Sequence, residues 1–349
     1  MCTNHVHTFG CFIVSPEILE HIANNGTQRQ RDLAYQALNA SAQLRGQREA
    51  LTRFAAFAPA TAGTKRRTIY DAQNGMSLPG KLIRGEKEKK SKDPTVNEAY
   101  DGSGKTYDFY LKVFNRNSID GQGMRLDSTV HYRRSFNNAF WNGQQMVYGD
   151  GDGEIFNRFT KSVDVIGHEL THGVTQFTAG LVYQDQPGAL NEHMSDVFGS
   201  LVKQRAKRHT AKQADWLIGE GLFTTKINGV ALRSMKAPGT AYNDPLIGKD
   251  PQPDHMSKYV KTTQDNGGVH INSGIPNKAF YNLAISLGGN AWTQAGRIWY
   301  VTLTEKMKPE TEFQEFAQMT YEVAGNLYGN NSTERQAVQA AWAGVGITV

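Results

Sequence analysis

The segment Val163–Phe177 of this 349-residue chain reads VDVIGHELTHGVTQF. Its apolar residues recur at spacings of three and four, which is the pattern of one buried face of an α-helix. His168 and His172 are four residues apart, so their imidazoles project from the same face, about one turn from each other. Two imidazoles placed in this way can bind one zinc ion, and Glu169 would stand beside the water molecule at the metal. The segment therefore predicts a metal-binding helix.

A second segment supplies a third ligand. Catalytic zinc sites usually have three protein ligands and leave one position for water. Glu192 lies twenty residues beyond His172, in GALNEHMSD, within a run from about 187 to 202 whose apolar spacing predicts another helix. Glu192 and Asp196 share a face of that helix, so one carboxylate can bind the metal while the other hydrogen-bonds a ligand histidine. His193, the alternative ligand, points about 100° away from Glu192 and is disfavoured.

The N-terminal fifty residues differ in pattern from the rest of the chain. A helix is predicted to begin at Pro16, with Ser15 able to cap its start and Gly26 to end it. A second helical run follows, with apolar residues at spacings of three and four from Leu33 to Leu44. This part of the chain is therefore predicted to be a pair of helices.

A linker follows these helices. The residues AAFAPATAG at 55–63 are small, include one proline and one glycine, and precede the basic run at 65–67. Such a composition is typical of an accessible linker that proteases can cut. We expect residues 1–50 to form a removable propeptide, inhibitory and chaperone-like, and residues 51–67 to contain the maturation site. The alternative is an ordinary N-terminal helical hairpin packed on the core.

The remaining chain is predicted to form two lobes. From residue 68 to about 159, short strand-like runs alternate with turns, and GDGDG at 149–153 is a turn rather than a calcium loop because it lacks the twelve-residue ligand spacing. The later part is mostly helical, so the order predicts an α+β fold. Its strand-rich N-terminal lobe, 68–180, includes the metal-binding helix at the cleft, and its C-terminal lobe, 181–349, is mostly helical. The predicted strands are Ile69–Tyr70, Tyr107–Tyr110, Val130–Tyr132 and Gln145–Tyr148.

Composition limits the other classes of function. The net charge of +5 and the pI near 9.0 would suit a nucleic-acid binder. The positive charge is concentrated at 65–67 and 81–92, however, and the second run also contains two glutamates, which favours a solvated loop. No stretch approaches the roughly 20 apolar residues of a membrane helix, and no secretory signal is visible. We expect synthesis in the cytoplasm, with any release by a non-standard export route.

Longer motifs carry a family resemblance. HELTH is followed by GLVYQ and GALNEHMSD, preceded by NNAFWNGQQMVYGDGDG, and followed later by QDNGGVHINSG. From about Thr68 to the C-terminus these motifs and their order resemble the thermolysin family of bacterial zinc metallopeptidases, which have a bilobal zincin fold. CFIVSPEIL at 11–19 resembles the short propeptides of the protealysin-like branch. The resemblance implies a secreted, zinc-dependent neutral endopeptidase, made as a precursor whose propeptide is an intramolecular inhibitor and is removed autocatalytically.

The resemblance also implies roles for individual residues. His168, His172 and Glu192 would bind one catalytic Zn²⁺, and Glu169 would be the general base. It further implies that His270 and Tyr183 stabilise the oxyanion and that Asp265 orients His270. Asp196 and Asn191 would hydrogen-bond the zinc histidines. The substrate backbone would be held as an added strand by Asn138, Ala139 and Trp141, and the pocket for the side chain after the scissile bond would be formed by Arg233, Leu232, Phe156, Val165 and Ile218. An apolar pocket implies cleavage on the N-terminal side of hydrophobic residues.

One part of the family pattern is changed. Thermolysin binds a pair of calcium ions with a carboxylate cluster, which Asp164, Asp215 and Glu220 match, but Lys203 and Leu217 stand at two other acidic positions. Calcium needs six to eight oxygen ligands, and an ammonium group among them would repel it. We therefore expect Lys203 to replace calcium and to pair with one or more of these carboxylates. Calcium elsewhere in the chain has no support.

The two cysteines, Cys2 and Cys11, allow a second hypothesis about inhibition. A thiolate from either residue could occupy the open position of the zinc ion and inhibit the precursor. The preferred interpretation is steric blocking of the cleft by residues 1–50, with a small buried cysteine that only helps the propeptide to pack. Cysteines confined to one end of the chain exclude a disulfide framework for the main body.

Two other classes of function remain open. A non-catalytic protein could keep the fold and hold peptides in its cleft, but Glu169, which such a copy could lose, is present. A nucleic-acid binder would use the basic loop with Lys87, Lys89 and Lys90 and would show salt-sensitive retention. We expect protein or peptide substrates and the chain's own propeptide as partners, no nucleic-acid or membrane partner, and a monomer.

Overall fold

The structure is a computed structural model that describes residues 11–51 and 63–349, with the backbone alone given for residue 11 and residues 44–51. Cys2, the thiol of Cys11 and most of the predicted linker therefore lie outside the described part. Within the described residues, no helix is both long enough and apolar enough to cross a membrane.

The helices and strands of the described ranges fall into three groups along the chain. The N-terminal segment (residues 11–51) contributes β1 (Cys11–Phe12), α1 (Pro16–Asn25) and α2 (Gln28–Leu51). The first lobe contributes β2 (Arg67–Asp71), β3 (Lys81–Arg84), α3 (Pro94–Phe114), β4 (Leu126–Val130), β5 (Ala139–Trp141), β6 (Met146–Tyr148) and α4 (Val163–Gln176). The second lobe contributes α5 (Asp185–Lys207), β7 (Leu217–Ile218), β8 (Arg233–Ser234), β9 (Asn243–Asp244), β10 (Gly248–Lys249), α6 (Asp265–Asn272), α7 (Gly274–Leu287), α8 (Ala295–Glu305), α9 (Phe313–Tyr328) and α10 (Thr333–Ala343).

The first lobe is built on a six-stranded sheet in the order β1-β5-β6-β4-β2-β3. Strand β5 runs antiparallel to β6, and β4 runs parallel to both β6 and β2. The N-terminal segment completes this sheet, because β1 pairs antiparallel with β5, with Cys11 opposite Trp141 and Phe12 opposite Phe140. The edge of β5, which would otherwise present unpaired N–H and C=O groups, is therefore covered by the chain's own N-terminal segment.

The helices predicted for the N-terminal segment are confirmed. Helix α1 begins at Pro16 after Ser15 and ends at Asn25, before Gly26. The second run forms α2, whose buried positions include Ala34, Ala37 and Ala40. Small side chains at this spacing let the two helices pack closely as a hairpin.

The predicted strands are confirmed in part. Ile69–Tyr70 lies within β2, and Gln145–Tyr148 contains β6. Of Val130–Tyr132 only Val130 is in a strand, because β4 begins earlier, at Leu126, and ends there. The turn predicted at 149–153 is present, and the carboxylate of Asp152 accepts hydrogen bonds from three backbone N–H groups that follow it.

The strand predicted at Tyr107–Tyr110 is wrong, since these residues lie in α3. Their aromatic composition favours a strand, and the glycines before them lower the helix propensity of the segment. Packing explains both glycines. A β-carbon at Gly102 would lie 2.3 Å from Cδ1 of Ile166, and one at Gly104 would lie 2.2 Å from Nη1 of Arg67. Tertiary packing, which the local sequence does not reveal, therefore accounts for glycines inside this helix.

Helix α5 lies at the centre of the fold. Every residue from Pro187 to Gln204 is buried, and the helix packs against α4, α6, α7 and α8. The buried stretch includes Glu192 and Asp196, and unpaired buried carboxylates cost a large free energy. This helix therefore requires charged or polar partners from its neighbours.

Helices α4 and α5 approach each other through glycines. A β-carbon at Gly199 would lie 2.5 Å from the carbonyl oxygen of Asp164 and 2.9 Å from the backbone nitrogen of His168. One at Gly167 would lie 3.1 Å from Cα of Gly199. Both contacts are with backbone, which cannot rotate away. Glycine at 199 therefore sets the distance between the helix of the first lobe and the central helix.

Replacing Gly199 by alanine should force α4 and α5 apart. We expect the free energy of unfolding to fall by about 1–3 kcal/mol, as for other overpacked cores, and thermal unfolding followed by circular dichroism measures it. The control is Gly344→Ala, where the new β-carbon would come no closer than 3.3 Å to a neighbouring atom. Unfolding temperatures for the Gly199 variant equal to that of the parent protein would contradict this close packing.

Candidate metal centre and active site

Three buried side chains meet between α4 and α5. Nε2 of His168 lies 3.0 Å from Nε2 of His172. The carboxylate of Glu192 lies 3.5 Å from Nε2 of His168 and 3.4 Å from Nε2 of His172. One possible ligand atom from each residue lies within 4.8 Å of the others, and all three residues are buried. These residues are therefore placed where one metal ion could contact all of them.

The chemistry of this group fits zinc. His168 Nδ1 lies 2.8 Å from a carboxylate oxygen of Asp196, and His172 Nδ1 lies 2.8 Å from Oδ1 of Asn191. With Nδ1 held by these acceptors, both Nε2 atoms can turn their lone pairs toward the same point. Oε2 of Glu192 is buried and receives no hydrogen bond from any of the described residues. Two imidazoles and one carboxylate are a typical donor set of catalytic zinc.

The carboxylate of Asp196 connects the metal centre to the second lobe. Arg233 donates to it from Nη2 at 2.8 Å and from Nε at 2.9 Å, and Asn277 Nδ2 donates at 2.9 Å. Burial alone would raise the pKa of Asp196, but the guanidinium of Arg233 and the hydrogen bond with His168 hold that pKa well below its usual range. Asp196 is therefore a fixed negative charge behind the metal site.

Glu169 faces the edge of the sheet. It follows His168 on α4, is fully buried, and accepts a hydrogen bond at 2.9 Å from the backbone N–H of Trp141 in β5. The helix thus directs His168 toward α5 and the neighbouring carboxylate toward the strand on which an added chain can pair. A general base needs this position between the metal centre and the peptide that it acts on.

His270 and Tyr183 lie on the other side of the metal centre. The Nδ1 atom of His270 lies 2.6 Å from Oδ1 of Asp265, and its Nε2 atom lies 3.6 Å from the Glu192 carboxylate. Tyr183 donates its hydroxyl hydrogen to Glu192 and lies 3.4 Å from Nε2 of His270. Burial lowers the pKa of His270, but the charges of Asp265 and Glu192 and the hydrogen bond with Asp265 together outweigh burial and raise that pKa to about 10. The raised pKa favours the protonated imidazole, which carries a donor hydrogen on Nε2.

The start of α6 holds Asp265 in place. The backbone from Asp265 to Gly268 is left-handed, with φ between 49° and 83°. This turn lets the Asp265 carboxylate accept a hydrogen bond from the backbone N–H of His270 at 2.7 Å as well as contact its ring. The side chain of Gln252 donates to the backbone carbonyl of His270 at 2.8 Å. Asp265 therefore fixes the orientation of the imidazole, and Asp265 and Gln252 together fix the backbone of His270.

The N-terminal segment occupies the cleft beside these groups. The backbone N–H of Ile13 donates to the carbonyl of Ala139 at 3.2 Å. The backbone N–H of Val14 donates to Oδ1 of Asn138 at 3.0 Å, and Nδ2 of Asn138 donates to the carbonyl of Val14 at 3.3 Å. Two of the residues predicted to hold a substrate backbone therefore hold the segment as an added strand.

Two backbone carbonyls of the segment bind positively charged donors. The carbonyl oxygen of Phe12 lies 2.9 Å from Nε2 of His270. The carbonyl oxygen of Ile13 accepts a hydrogen bond from Nη1 of Arg233 at 3.1 Å. Hydrogen bonds to charged donors are stronger than those between neutral groups. The segment is therefore anchored to two side chains that themselves contact Glu192 and Asp196 of the metal centre.

The predicted pocket residues are all buried, but they differ in their contacts. Ile218 pairs with Arg233 in the β7–β8 ladder, and Leu232 shares a small cavity, about 10 Å³, with Arg233. Phe156 packs against two other phenylalanine rings. The part that Phe156 and Val165 take in a substrate pocket stays a prediction.

The alternative ligand His193 points away from the metal centre. Its Nδ1 atom lies 2.7 Å from Oδ1 of Asn277, and its Nε2 atom accepts a hydrogen bond from Trp299 at 2.7 Å. Burial lowers the pKa of His193 to about 4, so this imidazole is neutral. It holds α5 to α7 and α8.

Three residues that support the site are not indicated by any pattern in the sequence. Ser195 Oγ lies 3.0 Å from Nδ1 of His172, while Asn277 and Gln252 make the contacts described above. Ser195 stands inside the motif GALNEHMSD and Asn277 stands three residues after QDNGGVHINSG. Each contact joins residues far apart in the chain, so no local spacing indicates it.

Comparison with known proteins places these features in a family. Residues 44–176 match the family model described as thermolysin metallopeptidase, catalytic domain, and residues 179–347 match thermolysin metallopeptidase, alpha-helical domain. The extracellular metalloprotease of Pectobacterium carotovorum subsp. carotovorum is 52% identical over 97% of this chain and 97% of its own. The chain belongs to the thermolysin metallopeptidase family.

Other relatives agree. Protease PrtS of Photorhabdus sp. (strain Az29) is 47% identical over 97% of this chain and 92% of its own. Thermolysin of Alicyclobacillus acidocaldarius subsp. acidocaldarius is 45% identical, but this chain spans only 50% of that protein. The solved precursor of protealysin, a metalloproteinase from Serratia proteamaculans, superposes with a TM-score of 0.90 at 52% identity, over 97% of this chain and 100% of that one.

These matches confirm the predicted fold class and the protealysin-like branch of the family. The chain is a zinc metalloendopeptidase of thermolysin type, in a precursor form that carries a propeptide. The non-catalytic alternative has no support among these relatives.

The ion pair expected for Lys203 is present. Its ammonium lies 2.9 Å from Asp164 and 2.7 Å from Asp215, and it donates to the carbonyl of Leu217 at 2.6 Å. Asp164 is fully buried. Lys207 pairs with Asp215 and with one further carboxylate at the exposed side of the same group. The ammonium thus stands among the oxygens that a calcium ion would need, and the exclusion of calcium is our prediction.

Replacing Lys203 by alanine should leave the charge of Asp164 buried without its partner. We expect a loss of about 3–5 kcal/mol in the free energy of unfolding. The matched control is Lys207→Ala, whose exposed pair contributes about 0–1 kcal/mol. We also expect the unfolding temperature of the unmodified protein to be the same in calcium and in a calcium chelator. A calcium-dependent rise in that temperature would contradict the replacement.

Proposed function

We propose that this chain is the precursor of a neutral endopeptidase that hydrolyses peptide bonds on the N-terminal side of hydrophobic residues, with Glu169 as the general base. The observation that carries the proposal is the buried group of His168, His172 and Glu192, with Glu169 on the same helix facing the substrate-binding edge. A zinc ion held by that group would polarise the substrate carbonyl and lower the pKa of a water molecule to about 7.

The chain's own residues move the protons. Glu169 takes a proton from the attacking water and delivers it to the departing amine nitrogen. His270, protonated and oriented by Asp265, donates from Nε2 to the carbonyl oxygen as negative charge develops there. The hydroxyl of Tyr183 lies within 3.4 Å of that nitrogen and would be a second donor once its hydrogen turns from Glu192 to the substrate oxygen. Removing one donor of this kind typically costs about 10²–10³ in rate.

Substrates bind as an antiparallel strand on β5. Asn138 and the backbone of Ala139 and Trp141 hold the substrate backbone, and Arg233 binds the carbonyl that follows the scissile bond. The same donors and acceptors hold the N-terminal segment, which supports this assignment. Buried apolar residues around Arg233 favour a hydrophobic side chain at that position. Strand addition of this kind reads the peptide backbone, so the substrates are proteins and peptides.

We assign the chain to four parts. Residues 1–50 are the propeptide, 51–67 the linker with the maturation site, 68–180 the N-terminal catalytic lobe and 181–349 the C-terminal lobe. The propeptide inhibits by filling the cleft, and the enzyme removes it autocatalytically. The extracellular relative supports action outside the cell, and the mature enzyme acts as a monomer.

Replacing Glu169 by glutamine should abolish proton transfer and keep the metal centre. We expect peptidase activity to fall by about 10²–10⁴, with zinc content unchanged and the propeptide retained in the intact mass. Hydrolysis of a quenched fluorescent peptide with a hydrophobic residue after the cut measures the rate. Glu310→Gln, at an exposed glutamate, is the control. A Glu169 variant with the parental rate would contradict the role of this base.

Glu17 makes the stability of the folded precursor depend on pH. It lies on α1, both carboxylate oxygens are buried, and neither makes a hydrogen bond of normal geometry within the described chain. Burial and then the charge of Asp265 raise the pKa of Glu17 to about 7, although His270 and Ser15 partly offset them. An unfolded glutamate has a pKa of about 4.5. The folded precursor therefore holds a proton at pH values where the unfolded chain has lost it.

The sign of the pH dependence follows from this difference. Where the folded state binds more protons than the unfolded state, stability falls as pH rises. For the inactive Glu169→Ala precursor, we expect Glu17 to contribute fully to the free energy of unfolding below about pH 4.5. We expect this contribution to be lost as pH rises through about 7. Glu17→Gln should flatten the curve of unfolding temperature over this interval, and Glu20→Gln on the same helix should not. Identical curves for the Glu17 variant and its parent would contradict the buried acid.

A further inference from the structure

The propeptide brings one particular peptide bond to the reacting position. We propose that the Phe12–Ile13 bond is a cleavage site of this enzyme, so that the inhibitory strand is also a substrate bound in the productive direction. This inference rests on the proposed function, because it uses the roles assigned there to His270 and Glu169. It adds a cut inside the propeptide to the cut expected in the linker.

The carbonyl at His270 identifies the bond. A group that stabilises the oxyanion must contact the oxygen of the carbonyl that is attacked. The carbonyl oxygen of Phe12 lies 2.9 Å from Nε2 of His270. The carbon attacked is therefore that of Phe12, and the bond that breaks joins it to the nitrogen of Ile13.

The neighbouring contacts fix the direction of the strand. β1 runs antiparallel to β5, which is the direction proposed for substrates. The N–H of Ile13 donates to Ala139, and its carbonyl accepts from Arg233 at 3.1 Å. These are the contacts assigned to the residue after the scissile bond. A strand bound in the reverse direction could not make both of them together with the contact at His270.

The side chains at this bond also suit cleavage. Ile13 is apolar and fully buried, as the proposed preference requires of the residue after the cut. Phe12 packs against Phe140, with ring centroids 4.9 Å apart. Both sides of the bond are thus held firmly, which keeps the reacting atoms in place.

A cavity of about 400 Å³ lies between the propeptide helices and the second lobe, and Phe12, Tyr183 and His270 are among its lining residues. In the reaction, the oxygen of one water molecule bonds to the carbonyl carbon of Phe12, and the bond from that carbon to the Ile13 nitrogen breaks. Glu169 passes a water proton to that nitrogen. The products are a carboxylate at Phe12 and an ammonium at Ile13.

The cut also weakens inhibition. Before hydrolysis both residues are neutral at the cut and nearly fully buried, with 4% of Phe12 and 0% of Ile13 exposed. Hydrolysis creates two charged chain ends in this place, and the new ammonium lies next to the guanidinium of Arg233. The new carboxylate at Phe12 faces His270, but the new ammonium at Ile13 is a buried positive charge beside another positive charge, which costs free energy. The cleaved strand therefore leaves the cleft more readily than the intact one.

A unique residue pair allows a direct test. Phe12–Ile13 is the only Phe–Ile pair in the 349 residues. Labelling phenylalanine with ¹³C at the carbonyl and isoleucine with ¹⁵N in the deuterated full-length precursor therefore gives one carbonyl–amide correlation in an NMR spectrum. The same sample is followed by intact mass and by N-terminal sequencing. The Glu169→Ala precursor is the uncut reference.

We expect the correlation to persist in Glu169→Ala and to shift when zinc is added to the metal-free form, because this carbonyl contacts His270, which lies 3.6 Å from the carboxylate of Glu192. In the unmodified chain we expect it to disappear as a product that begins at Ile13 accumulates. Ile13→Asp should reduce that product at least tenfold, since the pocket is apolar.

Two results would overturn the proposal. One is a correlation that survives in the unmodified chain while mass loss shows that the linker has been cut, which would leave the proposed function standing. The other is disappearance at equal rates with and without Glu169, which would assign the cut to a different protease. Survival of the signal together with no hydrolysis of any added peptide would instead refute the proposed function itself.

Discussion

The buried carboxylate of Asp196 is the interaction on which the site depends. One oxygen lies 2.8 Å from Nδ1 of His168, and both oxygens accept hydrogen bonds from the guanidinium of Arg233. A single charge therefore sets the orientation of a metal ligand and the position of the donor that binds a backbone carbonyl in the cleft. Because the group is fully buried, its partners cannot be exchanged for water, and losing Arg233 would leave an uncompensated charge. Chemistry and substrate position are coupled through this residue.

Local patterns in the sequence predict the parts of the site that are local in the chain. The spacing of His168 and His172 on one helix is enough to place both imidazoles together, and the motif around Glu192 predicts the third ligand. The ion pair of Lys203 follows instead from the family resemblance, which matches Asp164 and Asp215 to a carboxylate cluster, because no local pattern joins these residues. The contacts of Asn277 join distant helices and could not be predicted in this way.

The fold shows the same division. The helical period predicts α4 and α5. The aromatic run in α3 is wrongly predicted as a strand, because the glycine that Ile166 packs against in the structure lowers the helix propensity of the local sequence. The pairing of β1 with β5 is a property of two strands far apart in sequence, so its register required the structure. That register places the carbonyl of Phe12, and with it the contact between inhibitor and catalytic groups, at His270.

The central claim is that His168, His172 and Glu192 hold one zinc ion. The most direct test is X-ray diffraction from crystals of the zinc-treated precursor, with data collected on both sides of the zinc absorption edge. The account predicts one anomalous peak, about 2.0–2.2 Å from both Nε2 atoms and from the Glu192 carboxylate. A protein that takes up zinc and shows its peak elsewhere, or none at these three residues, would contradict the account.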